Sequence, residues 1–243
     1  MEVLILRFDA PLMSFGGVMV DQHGPTERFP GLSMLTGLLG NALGLAHVDA
    51  EALAALQDRL EYAARWDVSP VPLVDYHTVD LNQEKMRNPS WTTRGRPEHR
   101  TGGLAAKFGT HERDRHYWAN GVMTVALTLV GEGAPETAVL AEALRQPARP
   151  LFLGRKTCLP ATPILLDTIE APDVLAALRR IPRASRPSDP APDPGVEACW
   201  PAHLGLQSQT HEVAVYDRRD WRNQTVAGRR LQAQGRLILE ESS

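Results

Sequence analysis

The stretch VLILRFDAPLMSFGG, residues 3–17, followed by VMVDQHGPTERFPGLSMLTGLLGNALGL, residues 18–45, decides the fold. Val3, Leu4, Ile5 and Leu6 form a short apolar run, the mark of a strand covered on both faces. Pro11 and the Gly16-Gly17 pair break it into a loop with little side-chain bulk. Beyond Arg28-Phe29-Pro30-Gly31, apolar residues recur at Leu35, Leu38, Leu39, Ala42 and Leu43, one face of an amphipathic helix. Ser33 is its expected N-cap and Gly44 its expected stop. Strand, glycine loop and helix make either a plain connection or an anion cradle, since loop N–H groups and a helix N-terminus both favour negative charge.

Outward from this unit, residues 51–60 read as a second helix or a continuation of the first. Residues 62–66 and 71–79 read as strands, and Pro70 and Pro72 place them at sheet edges. Residues 122–129 alternate, with Met123, Val125, Leu127 and Leu129 on one face. Pro135 starts a helix whose stripe is Val139, Leu140, Ala143 and Leu144, and Pro147 ends it. Leu151-Phe152-Leu153 turns into Gly154-Arg155-Lys156, a second small clamp for phosphate. Residues 172–181 read as a short helix, 182–201 as a proline-rich linker, and 211–216 and 236–240 as strands.

Composition narrows the function. The 243 residues are 43% apolar and 23% charged with a net charge of −3, ordinary for a soluble globular chain. No apolar run spans a bilayer, Met1-Glu2 lacks a signal's basic region, and two cysteines make no disulfide framework; these predict a cytoplasmic setting. The charge is uneven. Residues 82–115 carry eight basic side chains against four acidic ones, with Trp91 and Phe108 among them. That composition suits either a solvated insertion or an arm for a polyanion, with guanidinium groups on phosphates and rings on unstacked bases. A second basic cluster, Arg218, Arg219, Arg222, Arg229 and Arg230, surrounds Trp221.

Catalytic signatures are missing: there is no GxGxxG, P-loop, HExxH, CxxC or GxSxG. Neither a metal site nor a cofactor is expected. His77, in Asp75-Tyr76-His77-Thr78, has the titration range of an acid–base catalyst, as does His116, though both also suit structural or RNA-contacting roles. Cys158 beside Arg155 and Lys156 reads as a buried small residue or as a thiol of lowered pKa.

Taken in order, these segments resemble the CasD-type subunits of type I-E CRISPR Cascade complexes, in the fifth Cas family of the RAMP superfamily. LRFDAPLMSFGG is similar to that family's first strand and glycine loop, and ERFPGLSMLTGLLGNALGL to its RFPT-x-SGLLGLLGAALG helix. DYHTV stands intact at residues 75–79, HYWANGVMTVAL resembles its Y-L-x-DA-x-FTVAL strand, and LGRKTC its LGR[KR]SC-P segment. The resemblance implies an α+β fold with three parts. They are an RRM-like (ferredoxin-like) palm over residues 1–170, a β-hairpin thumb inserted at 80–116, and a small β-rich C-terminal part, 171–243, that contains the linker 182–201. It implies a non-catalytic, cytoplasmic RNA-binding subunit of an antiviral ribonucleoprotein complex. In that family the palm grips the 5′ handle of the CRISPR RNA (crRNA), and the thumb meets the Cascade backbone subunit. The large subunit that reads the protospacer-adjacent motif (PAM) docks alongside, near the PAM-proximal end of target DNA. RNA binding carries over to Ser14, Phe15, Gly16, Arg28, Phe29, Ser33, Tyr76, His77, Gly154, Arg155 and Lys156. The charge of the thumb adds Arg94, Arg96, Arg100, Lys107 and Arg113.

The sequence departs from the family at three places. Phe15 replaces a tryptophan and keeps a stacking face, Gly31-Leu32 lacks a basic or hydroxyl residue, and Asn120-Gly121 replaces an Asp-Ala pair. Two other readings stand. One is a metal-independent endoribonuclease acting on the crRNA precursor, with Tyr76, His77, Lys107 and His116 as candidates. The other is a stand-alone RRM-type regulator.

Overall fold

The computed structural model describes residues 1–17, 19, 22–80, 90–91, 97–98, 110–186 and 195–239. In chain order the first elements are β1 (Glu2–Asp9), β2 (Leu12–Met13), β3 (His23–Gly24), α1 (Leu32–Leu43), α2 (Ala50–Arg59), β4 (Leu60–Val68) and β5 (Val71–Asp80). Then follow β6 (Ser90–Trp91), β7 (Pro97–Glu98), β8 (Thr110–Ala119), β9 (Val122–Leu129), α3 (Thr137–Arg145), β10 (Leu165–Glu170) and α4 (Val174–Arg180). The chain ends with β11 (Gly195–Pro201), a 3₁₀ turn (Ala202–Leu204), β12 (Thr210–Val215), β13 (Arg219–Asp220), β14 (Thr225–Val226) and β15 (Arg230–Ile238). The result is a mixed α/β fold whose strand pairings are mostly antiparallel.

Two compact bodies divide the chain. The larger holds residues 1–16, 26–72 and 118–243 around a seven-stranded sheet of order β10-β1-β9-β4-β11-β15-β12. Val3 and Ile5 of β1 face a cluster with Val174, Leu178 and Trp200, under α4. Leu4, Leu6 and Phe8 alternate to the other face and are equally buried. The same holds in β9, where Thr124, Ala126 and Thr128 are as buried as Met123, Val125 and Leu127. Alternation in sequence therefore marks two packed faces here, not one wet and one dry. The second body, residues 17–25 and 73–117, is built on β8, which pairs with β5 and runs parallel to β3.

Helix α1 starts two residues earlier than an N-cap at Ser33 predicts. Its N-cap is Gly31, which has no side chain to offer, and Asp217 supplies the acceptor instead. At the other end Gly44 adopts φ +83, Leu45 N–H reaches Gly40 O at 2.8 Å and Gly44 N–H reaches Asn41 O, the glycine stop the sequence predicts. Gly40 also lets α2 approach, since a Cβ there would lie 2.6 Å from Leu53.

Other expectations need correction. Residues 62–66 belong to β4, an interior strand between β9 and β11; the prolines that suggested an edge lie beyond its end. In α3 the buried stripe is Leu140, Ala141 and Leu144, while Val139 is half exposed. Strand β10, unforeseen, is an edge strand with Leu166 half exposed, so its pattern carries little signal. The linker reading of 182–201 fails at its C-terminal end, while residues 182–186 form no regular element. Residues 195–201 are β11, with Ala198, Cys199 and Trp200 fully buried, and the last strand begins at Arg230, not 236. Residues 187–194 lie outside the described residues. Among those described, no helix is long and apolar enough to cross a membrane.

Residues 181–184 are fastened from below. Arg65 and Asp67, both fully buried, pair at 2.7 Å. Arg65 also donates to Leu178 O and, at 2.7 Å, to Ile181 O, at the end of α4. Asp67 accepts from Thr124 Oγ1 at 2.6 Å and Ala184 N at 3.1 Å, and its carbonyl from Arg183 Nε at 2.6 Å. Removing one member strands the others without water. Asp67→Ala should cost about 3–5 kcal/mol in urea unfolding, the penalty of an uncompensated buried charge. A loss below about 1 kcal/mol, the scale of a surface pair, would show that the network is solvated.

Candidate nucleic-acid interface

Two turns of the larger body meet backbone to backbone. Ser14 N–H donates to Leu153 O at 3.2 Å, and Gly154, at φ +95, lies so close that a Cβ would fall 1.5 Å from Ser14 O. The 153–158 turn closes on itself through Leu153 N to Cys158 O, 2.7 Å, and Cys158 N to Arg155 O, 2.9 Å. The 14–17 loop is closed by Phe15 N to Thr26 Oγ1, 2.9 Å, and Glu27 N to Gly16 O, 2.7 Å. Gly16 is exposed at φ +78 with open space around it, Lys156 is exposed and Arg155 half-buried. Glycine at 154 is thus a demand of close approach, and glycine at 16 one of backbone angle.

The other residues expected in this stretch face inward. Ser14, Phe15 and Phe29 are buried. The Phe15 ring lies 6.5 Å from Phe8 and 6.0 Å from Trp66, so the face expected to stack on a base is spent on the core. Arg28 lies 5.1 Å over the Trp66 ring and 4.8 Å over Trp118, and its Nε reaches both Glu197 oxygens at 2.8 and 2.9 Å. Ser33 is half-buried, with its N–H on Asp217 O at 3.0 Å. The N-terminus of α1 therefore already holds an anion of this chain, contrary to the cradle reading of the sequence.

In the second body, Tyr76 is exposed and bonds its hydroxyl to Glu112, which raises the phenol above its ordinary pKa. His77 Nε2 stands 2.5 Å from Asp75 Oδ2. Arg113 reaches Met19 Sδ at 3.6 Å. Arg94, Arg96, Arg100 and Lys107 lie outside the described residues.

The second basic cluster is largely neutralised. Arg218 pairs with Asp58, Arg222 with Glu51 at 3.1 Å and Arg230 with Asp217 at 2.6 Å. Arg219 bonds Gln224 at 2.7 Å and lies 5.6 Å over Trp221, itself buried. Sequence reading missed the residues that hold the 27–33 stretch in place: Tyr62, Trp66, Trp118, Glu197 and Asp217. The tryptophan indoles donate to Arg28 O at 3.2 Å and Glu27 O at 2.7 Å. The tyrosine hydroxyl donates to Pro30 O at 2.5 Å. Their partners lie far along the chain, so no local pattern signals them in the sequence.

Comparison with known proteins gives the family. Residues 3–231 match the model of the Cas5d family, described as CRISPR-associated protein (Cas5). The Escherichia coli (strain K12) protein named CRISPR system Cascade subunit CasD is 33% identical over 183 residues, 72% of this chain and 75% of that one. A chain of a CRISPR RNA-guided surveillance complex superposes with a TM-score of 0.64 at 24% identity, covering 98% of this chain and 89% of that one. The crystal structure of a Cas protein gives 0.61 at 24% identity, covering 98% and 94%. At that identity the two structures speak for the fold alone.

Two outcomes test the geometry. Gly154→Ala forces a backbone clash at a positive φ and should cost about 2 kcal/mol or more in urea unfolding, against about 1 kcal/mol for Gly16→Ala. Equal effects would mean that the two turns do not touch. Burial pushes the Cys199 thiol up to about 12 and raises that of Cys158, despite the Arg155 charge beside it. Both thiols are therefore protonated near the ordinary cysteine pKa of about 8.5, and Ellman's reagent should label neither until the chain unfolds. Fast labelling of Cys158 in the native protein would restore the reactive-thiol reading.

Proposed function

Because this chain belongs to the Cas5 family of CRISPR-associated proteins, we propose that it is the non-catalytic crRNA-binding subunit of a type I-E Cascade complex, gripping the 5′ handle. The junction of Gly154 with Ser14 supports this best: it joins two turns backbone to backbone, one exposing Gly16 and the other Lys156. The order β10-β1-β9-β4, with α1 between β1 and β4 and α3 between β9 and β10, supports the reading of a ferredoxin-like, RRM-like palm. The second body then serves as the thumb that meets the backbone subunit. The palm caps that backbone beside the large PAM-reading subunit, next to the PAM-proximal end of target DNA, in the cytoplasm. RNA contacts fall to Gly16, Arg155 and Lys156 in the palm, to Tyr76 and His77, and to Arg94, Arg96, Arg100, Lys107 and Arg113 of the thumb. Ser14, Phe15, Phe29 and Gly154 shape the loops, and Arg28 and Ser33 fix the stretch behind them.

A second reading, a metal-independent endoribonuclease, draws on the His77–Asp75 pair, in which a carboxylate holds an imidazole near Tyr76. One set of incubations separates the two. Handle RNA should bind the full chain with an affinity that falls steeply with salt, and Lys156→Glu should reduce the log–log slope by about 0.7, one phosphate contact. Replacing Arg94, Arg96 and Arg100 by Glu should block assembly with crRNA; wild-type RNA occupancy in that variant sinks the thumb assignment. Precursor repeat RNA in EDTA should stay intact. Cleavage that disappears in His77→Ala would instead establish the nuclease.

A further inference from the structure

Residues 27–33, which join the glycine loop to α1, are held chiefly by segments far along the chain. Asp217 Oδ2 accepts the Leu32 N–H at 2.8 Å, and its carbonyl accepts that of Ser33 at 3.0 Å. Gly31 leaves room for this, since a Cβ there would lie 3.1 Å from Asp217 Cβ. Arg230 of β15 grips the same carboxylate through Nε at 3.0 and 3.1 Å and through a terminal nitrogen at 2.6 Å. That nitrogen also reaches Tyr62 Oη at 2.5 Å, and Tyr62 donates to Pro30 O. The circuit closes: Pro30, Tyr62, Arg230, Asp217, Leu32. Its two ionic members are less than a fifth exposed.

We propose that Asp217 is a positioning residue for RNA binding, tying the C-terminal strands to the loop–helix junction and so setting the orientation of the 14–17 loop. The inference rests on the RNA-binding reading above. A helix needing only a cap is served by Ser, Thr, Asp or Asn at the N-cap itself. Here the N-cap is glycine and the acceptor comes from 185 residues away, braced in turn by an arginine that also holds the preceding carbonyl through Tyr62. Such an arrangement fixes where the helix start lies relative to the sheet, which a local cap does not. Burial opposes the Arg230 charge, yet the Tyr62 oxygen and Asp217 outweigh it, so the brace stays charged throughout the working pH range.

The test uses the full chain and a synthetic RNA carrying the 5′ handle. Asp217→Ala and Arg230→Lys, which keeps the charge but not the fork, should each weaken binding about tenfold, the worth of one charge-assisted hydrogen bond. Leu32 and Ser33 amides should exchange faster with deuterium. If Asp217→Ala unfolds, the isosteric Asp217→Asn carries the same expectation. The double variant Gly31→Asp/Asp217→Gly moves the carboxylate to the N-cap; it should recover the melting temperature but not the affinity. Recovery of both would reduce Asp217 to a helix cap and overturn the proposal. So would an Asp217→Ala chain that binds like wild type while Lys156→Glu loses affinity, an outcome that leaves the RNA-binding reading intact. A wild-type chain that ignores handle RNA overturns that reading and this inference together.

Discussion

β4 is an interior strand with polar side chains on both of its faces, and a set of distant contacts in the larger body follows from that. Tyr62, Arg65 and Asp67 have almost no access to water. An unpaired polar atom at such a site costs several kcal/mol, so each must find a partner inside the protein. One face draws in the end of α4 and residues 183–184, and the other draws in Pro30, Asp217 and Arg230. The C-terminal third of the chain is thereby folded back onto the first. Strands β11, β15 and β12 extend the same sheet instead of forming a separate module.

That folding back sorts the positive charges. An arginine already paired with a carboxylate presents little net field to a polyanion, and at physiological salt what remains is screened within about 8 Å. The cluster around Trp221 is of this kind, since α2 supplies Glu51 and Asp58 as carboxylate partners and Asp217 supplies a third. The turn at Gly154 differs. Its shape is dictated by backbone contact with Ser14, which leaves the Lys156 side chain exposed on a fixed support.

The local pattern of the first 45 residues was legible because its signals are covalent neighbours: an apolar run, glycines at positive φ, a helical stripe and a glycine stop. The depth of each element was not. Thr124 and Thr128 look like the wet face of a strand, yet both are buried because helices cover that sheet twice over. β11 was hidden for a related reason. Prolines and small residues in 182–201 suggest a linker, and only pairing with β4 and β15 turns Val196, Ala198 and Trp200 into core. In the candidate site the glycines could be read directly, because they answer to backbone geometry. Phe15 could not, since an aromatic ring in a loop suits a base or a core equally until its neighbours Phe8 and Trp66 are known. Asp217 carries no local signal, because its partners lie 185 residues upstream and 13 downstream.

The two ion pairs that bracket the 27–33 stretch differ in kind. Asp217 and Arg230 have side chains only 15% and 18% exposed, and a pair so enclosed resists exchange because separating it strands both charges. Arg28 and Glu197 are 29% and 43% exposed, where a pair is worth about 0–1 kcal/mol. Arg28 is held as well by two indole rings, 5.1 and 4.8 Å from its guanidinium. The helix start is therefore fixed by a buried carboxylate that solvent does not displace. The arginine one turn of chain before it is fixed by aromatic surface together with a more exposed carboxylate. A stretch built this way has its backbone fixed at the helix start by an enclosed ion pair, and at Arg28 by two rings and a more open one.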